Sequence, residues 1–220
     1  IFAPIVATER HAPAIKVARP RVVITAFPGS NCEYDLEARF REAGAEVETV
    51  VFCNLDAQAV EESLATMAAA IRRSQIVMIP GGFSSGDEPE GSGKFIAAAY
   101  RAPRVKEAVH ELLRQRDGLV CGICNGFQAL IKLGLVPYGE IREQHPEDPT
   151  LTFNSLRYMS RVATTRVTSN LSPWLSRVQP GDTHTVAIAH GEGRIVGPDT
   201  LLRKLLASGQ VATQYVDLQG

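Results

Sequence analysis

Apolar positions alternate between two rhythms along the first two thirds of this chain. Residues 22–27 (VVITAF) form a short β-branched run stopped by Pro28-Gly29, which predicts a buried strand. Leu36, Phe40 and Ala43 then share one helical face, and Gly44 ends it. Residues 45–52 predict a second strand. In the helix predicted from 56 to 73, Val60, Leu64, Met67 and Ile71 recur at steps of four, three and four. Residues 76–79 (IVMI) are wholly apolar and run into Pro80-Gly81-Gly82. Past a Gly-rich loop, Val105, Val109, Leu112 and Leu113 face together on one helical stretch, which Pro103 starts or breaks. Residues 118–123 predict a fourth strand, with a helix over 126–132 directly after it.

Apolar strands that alternate with amphipathic helices predict an α/β fold: an open, largely parallel sheet with helices on both faces. Beyond Tyr138 the rhythm is lost. Residues 151–167 and 183–196 read as antiparallel additions in the C-terminal third, 201–206 as a short helix and 211–216 as a last strand. Residues 1–20 carry Pro4, Pro13 and Pro20 and no apolar period, so they read as a linker from an upstream domain, with 21–220 as one domain. In open α/β sheets ligands bind beyond the C-terminal ends of the strands. Loops 28–32, 80–93 and 124–126 are therefore the candidate sites.

Composition narrows the function. A net charge of −1 over 220 residues supplies no positive field, so a nucleic-acid or acidic-membrane partner is not expected. No apolar run approaches the ~20 residues of a spanning helix. The first ten residues lack the basic and apolar regions of a signal peptide, and without an initiator Met the sequence reads as a piece of a longer chain. Four cysteines are too few for a disulfide scaffold, which points to a reducing, cytoplasmic setting.

Cys124 is the sharpest chemical feature. Gly122-Ile-Cys-Asn-Gly126 puts a cysteine between two glycines where a buried strand meets a helix, the pattern of a nucleophile elbow. Glycines at ±2 relieve crowding in that turn, and the positive end of the helix dipole stabilises an anion there. The Asn125 amide, together with that of Gly82, would serve an oxyanion. A buried structural cysteine is the competing reading. Cys121 and Cys124 are formally C-x-x-C, but Cys121 falls inside the predicted strand, and no second pair completes a zinc site. The Gly-rich loop fails as a phosphate loop, with Glu88 where a glycine is required and Phe95 after Lys94. His190-Gly-Glu192 has the spacing of a base and its orienter. It could equally be a turn whose side chains meet backbone or a neighbouring domain. The remaining histidines, His110 among them, read as solvated.

Taken together, Pro80-Gly-Gly-Phe-Ser, Gly-Ile-Cys-Asn-Gly-Phe-Gln-Ala-Leu130 and Ala-His-Gly-Glu-Gly-Arg194 resemble the class I (triad) glutamine amidotransferases, whose fold is flavodoxin-like. Within them they look most like the glutaminase domains of the phosphoribosylformylglycinamidine synthases, from about Arg21 onward. The resemblance implies that Cys124 attacks the side-chain amide of L-glutamine and releases ammonia, with Gly82 and Asn125 as oxyanion amides. It implies that Gln128 holds the amino-acid end of the substrate and that Asn154 and Ser155 lie near the glutamine pocket. It further implies a synthetase domain or subunit as partner, which would hold ATP and Mg; no cofactor is expected in this domain. In the family the catalytic His-x-Glu lies near the C-terminus, whereas His190-Gly-Glu192 matches a separate, upstream block. The His and Glu partners are accordingly expected beyond Gly220, in a domain incomplete at that end, with His190 and Glu192 as the alternative triad pair or an interface. Two other readings stay open: a different cysteine hydrolase of this fold, such as a γ-glutamyl hydrolase or protease-like relative, and a non-catalytic glutamine-binding or docking domain.

Overall fold

A computed structural model describes residues 4–9, 11–87 and 93–217. Residues 1–3 and 10 of the expected linker and 88–92 of the Gly-rich loop, Glu88 included, lie outside the described residues. The chain divides into two compact units: Pro13–His145, and a second made of Ile1–Ala12 with Pro146–Gly220.

The first unit contains, in order, β1 (Arg21–Ala26), β2 (Ser30–Asn31), α1 (Glu33–Glu42), β3 (Glu46–Val51), α2 (Ala57–Arg73), β4 (Ile76–Ile79), β5 (Gly81–Gly82), α3 (Lys94–Arg101), α4 (Pro103–Arg114), β6 (Leu119–Gly122), α5 (Asn125–Leu133) and the short α6 (Leu135–Tyr138). Four strands pair in parallel in the order β3-β1-β4-β6. The sheet period of two sorts their side chains onto opposite faces. Val23, Val77 and Ile79 join a core with residues of α2 and α4, while Val22, Ile24 and Met78 pack with Leu36 and Phe40 of α1. Helices therefore cover both faces, as the apolar runs predict. The strand order reverses between β1 and β4, so the loops after these strands flank the crevice where doubly wound sheets bind ligands.

Local sequence explains the elements. Asp56 caps α2 by accepting the Ala59 N–H at 2.8 Å, and Leu64, Met67 and Ile71 are buried along its inner face. Full burial of each such side chain contributes about 1.5–3 kcal/mol. The start or break expected at Pro103 is there, with α3 before it and α4 after it. Pro103 opens α4 at its first position, and Ala102 before it is non-helical at φ −53° and ψ 130°. Proline excludes the helical conformation from the residue preceding it, so the stretch breaks there. Tyr100, in the last turn of α3, is fully buried, its hydroxyl 2.9 Å from Thr25 Oγ1. Burial pushes that hydroxyl far above its ordinary value, with the Thr25 bond opposing.

His110 corrects the expectation of a solvated ring: its Nε2 accepts the Ile141 N–H at 2.9 Å. Desolvation first, then Arg114 and Lys106, hold its pKa below the ordinary 6.5, against a smaller pull from Glu140. The unfolded ring takes up a proton before the folded one as pH falls. The His110 contribution is thus complete above the unfolded value and is lost as pH drops through it towards the folded one. The urea midpoint is expected to fall between pH 7.5 and 5.5, and to fall less in His110→Gln, whose amide oxygen can still accept. Equal falls in both proteins would show that His110 does not set this dependence.

The second unit contains β7 (Thr150–Phe153), β8 (Met159–Val167), β9 (Thr183–His190), β10 (Glu192–Val196), α7 (Asp199–Ala207) and β11 (Thr213–Val216). These are the antiparallel additions: a sheet β11-β8-β9 and a pair β10-β7. Ile5 bridges to Ser169, its N–H donating to the Thr168 carbonyl at 2.9 Å. Among the described residues no helix is long and apolar enough to cross a membrane. None of their His, Cys, Asp and Glu side chains form a group of three that could hold a metal ion.

Candidate active site

β6 ends at Gly122 and α5 begins at Asn125, so the chain must turn from strand to helix within two residues. Cys124 makes the turn at φ 52° and ψ −108°, a conformation that side chains rarely adopt. Its neighbours allow it. A Cβ on Gly122 would stand 2.5 Å from the Gly126 carbonyl carbon, and one on Gly126 would stand 2.2 Å from the Ile79 oxygen. Both glycines are thus required by backbone packed against backbone. The N–H of Gln128 closes the first helical turn on the Cys124 carbonyl at 3.0 Å.

The loop after β4 meets this elbow. A Cβ on Gly81 would lie 3.3 Å from Cys124 Cβ and 4.0 Å from its Sγ. Gly81 and Gly82 pair antiparallel with Asn31 and Ser30, so the loop after β1 braces the loop after β4. Gly82 has φ +123°, and a Cβ there would meet the Gly29 oxygen at 2.4 Å. The Ser84 N–H donates to Asn125 Oδ1 at 3.2 Å, and Asn125 Nδ2 donates to Gln128 Oε1 at 3.0 Å. Ser84, Asn125 and Gln128 are all buried. This relay ties the Gly-rich loop to the first turn of α5.

The structure thus gathers Gly82, Cys124, Asn125 and Gln128 in one place. Sequence reasoning missed that the Asn125 side chain, besides its backbone, has a task there, and that Ser84 receives it. Cys121 sits in β6, half-buried, and burial pushes its thiol up against a smaller pull from the Gly122 backbone. A thiol so placed makes a poor thiolate.

Exchange of Gln128 for alanine removes the acceptor of Asn125 Nδ2 from a buried position. Loss of such a bond costs about 1–3 kcal/mol, to be read from the denaturation midpoint. If Gln128 also contacts the amino-acid end of the substrate, that contact exists in ground and transition states alike, so KM rises more than kcat falls. A collapsed kcat at unchanged KM would place Gln128 on the oxyanion side instead.

Asn154, Ser155, His190 and Glu192 belong to the second unit. Asn154 Nδ2 donates to the His190 carbonyl at 2.8 Å and lies 2.9 Å from His190 Nδ1. A carbonyl can only accept, which fixes the amide orientation and makes Nδ1 an acceptor too. The ring proton then resides on Nε2. An imidazole in this tautomer is oriented by an amide, where a base working through Nε2 needs a partner that accepts from Nδ1. Gly193 lets the ring sit there, since a Cβ at that position would be 2.5 Å from His190 Cε1.

A family model described as a CobB/CobQ-like glutamine amidotransferase domain matches residues 19–220. The chain is 32% identical over 201 residues to the phosphoribosylformylglycinamidine synthase subunit PurQ of Aquifex aeolicus, covering 91% of this chain and 75% of that protein. It is 32% identical over 198 residues to the same subunit of Mycobacterium tuberculosis, covering 90% of this chain and 75% of that one. Among solved structures it is similar to PurLQS from Thermotoga maritima, with a TM-score of 0.63 and 25% identity over 90% of this chain and 76% of that chain.

Proposed function

The chain belongs to the CobB/CobQ-like glutamine amidotransferase family, and from that premise we propose that it hydrolyses L-glutamine and supplies the ammonia for phosphoribosylformylglycinamidine synthesis. One observation carries the chemistry: Cys124 is held in a strained turn at the head of α5, against the Gly81–Gly82 loop. Cys124 Sγ attacks the glutamine side-chain carbonyl. The negative charge that develops on the oxygen is met by the N–H groups of Gly82 and Asn125. The C–N bond then breaks, the proton given up by the Cys124 thiol goes to the leaving nitrogen so that it departs as ammonia, and a γ-glutamyl thioester remains on Cys124. Water cleaves that thioester to glutamate and regenerates the thiol.

Ammonia passes to an ATP-dependent synthetase partner, on which ATP and Mg act; the 32% identity to PurQ subunits and the likeness to PurLQS support this partner. The imidazole and carboxylate of the triad are assigned to the downstream His-x-Glu that the family resemblance implies. His190–Glu192 is set aside because Asn154, an amide, orients the His190 ring. Four free cysteines suit a cytoplasmic setting.

The test uses the full-length protein with its synthetase partner. Glutamate release from glutamine, together with mass mapping of a glutamine-analogue electrophile, is expected to find the label on Cys124. Label mainly on Cys32, Cys53 or Cys121 would sink the assignment.

A further inference from the structure

The hydrogen bonds that join Ser84, Asn125 and Gln128 have a direction, and it is set by a group that cannot reverse. The Ser84 backbone N–H can only donate, so the Asn125 atom 3.2 Å away is the side-chain oxygen, Oδ1. The other end of that amide, Nδ2, can then only donate, and the Gln128 atom 3.0 Å from it is the oxygen Oε1. Gln128 is thereby held with its Nε2, a donor, turned away from Asn125. None of the three residues is more than 6% exposed, so a flip of either amide would bury mismatched polar groups where water cannot repair them.

The amino-acid end of L-glutamine carries two opposite groups, an α-ammonium that only donates and an α-carboxylate that only accepts. A donor on Gln128 suits the carboxylate and rejects the ammonium. The surroundings agree with that polarity. Asn125 and Gln128 stand three residues apart at the N-terminal end of α5, where the helix dipole is positive and favours an anion. No acidic side chain occupies the first turn of α5, so that turn offers an ammonium no counter-charge.

We propose that the Asn125 side chain is a positioning residue for substrate selection: it fixes the Gln128 amide with Nε2 towards the ligand, so that L-glutamine is selected by its α-carboxylate. This role is separate from that of the Asn125 backbone N–H at the oxyanion, and it rests on the glutaminase reading, in which Gln128 meets the amino-acid end of the substrate.

Ammonia release from L-glutamine and from L-glutaminamide, by the full-length protein with its synthetase partner, tests this. The second compound keeps the side-chain amide and the α-amino group but has a neutral carboxamide in place of the α-carboxylate. A preference for glutamine of about tenfold or more in kcat/KM is expected, expressed mainly in KM, because a charged hydrogen bond is lost. In Asn125→Asp the new carboxylate still accepts the Ser84 N–H but cannot donate, so Gln128 must turn Nε2 to it and offer Oε1 to the ligand. KM for glutamine is then expected to rise about tenfold or more, KM for glutaminamide to move less, and the preference to vanish. Gln128→Glu is expected to do the same, since a carboxylate offers only acceptors, and it decides the matter if the charge buried in Asn125→Asp unfolds the protein. Variants that slow both substrates alike and keep the preference overturn the proposal and make Asn125 a brace for the Gly-rich loop. Turnover of glutamine without any preference overturns the selection alone, whereas turnover of neither compound overturns the glutaminase reading with it.

Discussion

Exchange of Cys124 for alanine is expected to abolish glutamine-dependent synthesis by the full-length protein and its partner, by at least about 10⁴-fold. Synthesis from added ammonia is expected to persist, because only the ammonia source is lost. The reasoning is local. Without Sγ no thioester forms, and water is left to attack an amide in a site built to hold an oxyanion beside sulfur. Alanine occupies less space at a half-exposed position, so the fold should survive, and an unchanged denaturation midpoint would show it. Glutaminase turnover that survives the substitution would remove Cys124 from the chemistry. Loss of ammonia-dependent synthesis as well would mean that the substitution had damaged assembly.

Gly126→Ala should act on both fold and activity. Alanine is favoured over glycine inside a helix by about 1 kcal/mol. Here the added Cβ would stand 2.2 Å from the Ile79 oxygen, a backbone atom of β4 in the buried sheet. Neither side of that contact can move alone: β4 pairs with β1 and β6, and α5 is anchored on β6 through the elbow. Overpacking of this kind costs about 1–3 kcal/mol or more, which outweighs the gain in helix propensity. The shift of α5 carries Cys124 away from the Gly81–Gly82 loop, and a misplacement of about 1 Å costs roughly 10² in rate. Lowered stability with a hundredfold slower glutaminase is the expected result. A more stable, fully active variant would show that the elbow tolerates a side chain.

The sheet and its helices were legible because their residues agree with one another. Every apolar position of α2 named from periodicity faces the core, and the four apolar runs each became a strand. What escaped were features with no period. β2 and β5 are two residues each, too short to alternate, yet their pairing holds the Gly-rich loop against the elbow. The bridge at Ile5 is a single residue amid prolines. His110 was misread because its partner, Ile141, lies 31 residues away in sequence. At the candidate site, the Gly-x-Cys-x-Gly spacing announced the elbow, since that turn allows few residues. The Ser84–Asn125–Gln128 relay was invisible, because polar side chains betray no partner until the loops close on each other.

The backbone at Cys124 also bears on how such a chain drifts once its chemistry is no longer needed. A non-glycine residue held at φ 52° and ψ −108° stores about 1–3 kcal/mol of strain, a sizeable share of the margin by which a domain stays folded. Glycine in place of the cysteine would release that strain. Selection for folding alone therefore favours Cys124→Gly, and only selection for turnover keeps the thiol in place. In a descendant that kept the fold as a mere scaffold, the nucleophile would be among the first residues to go, and its loss would leave the protein harder to unfold.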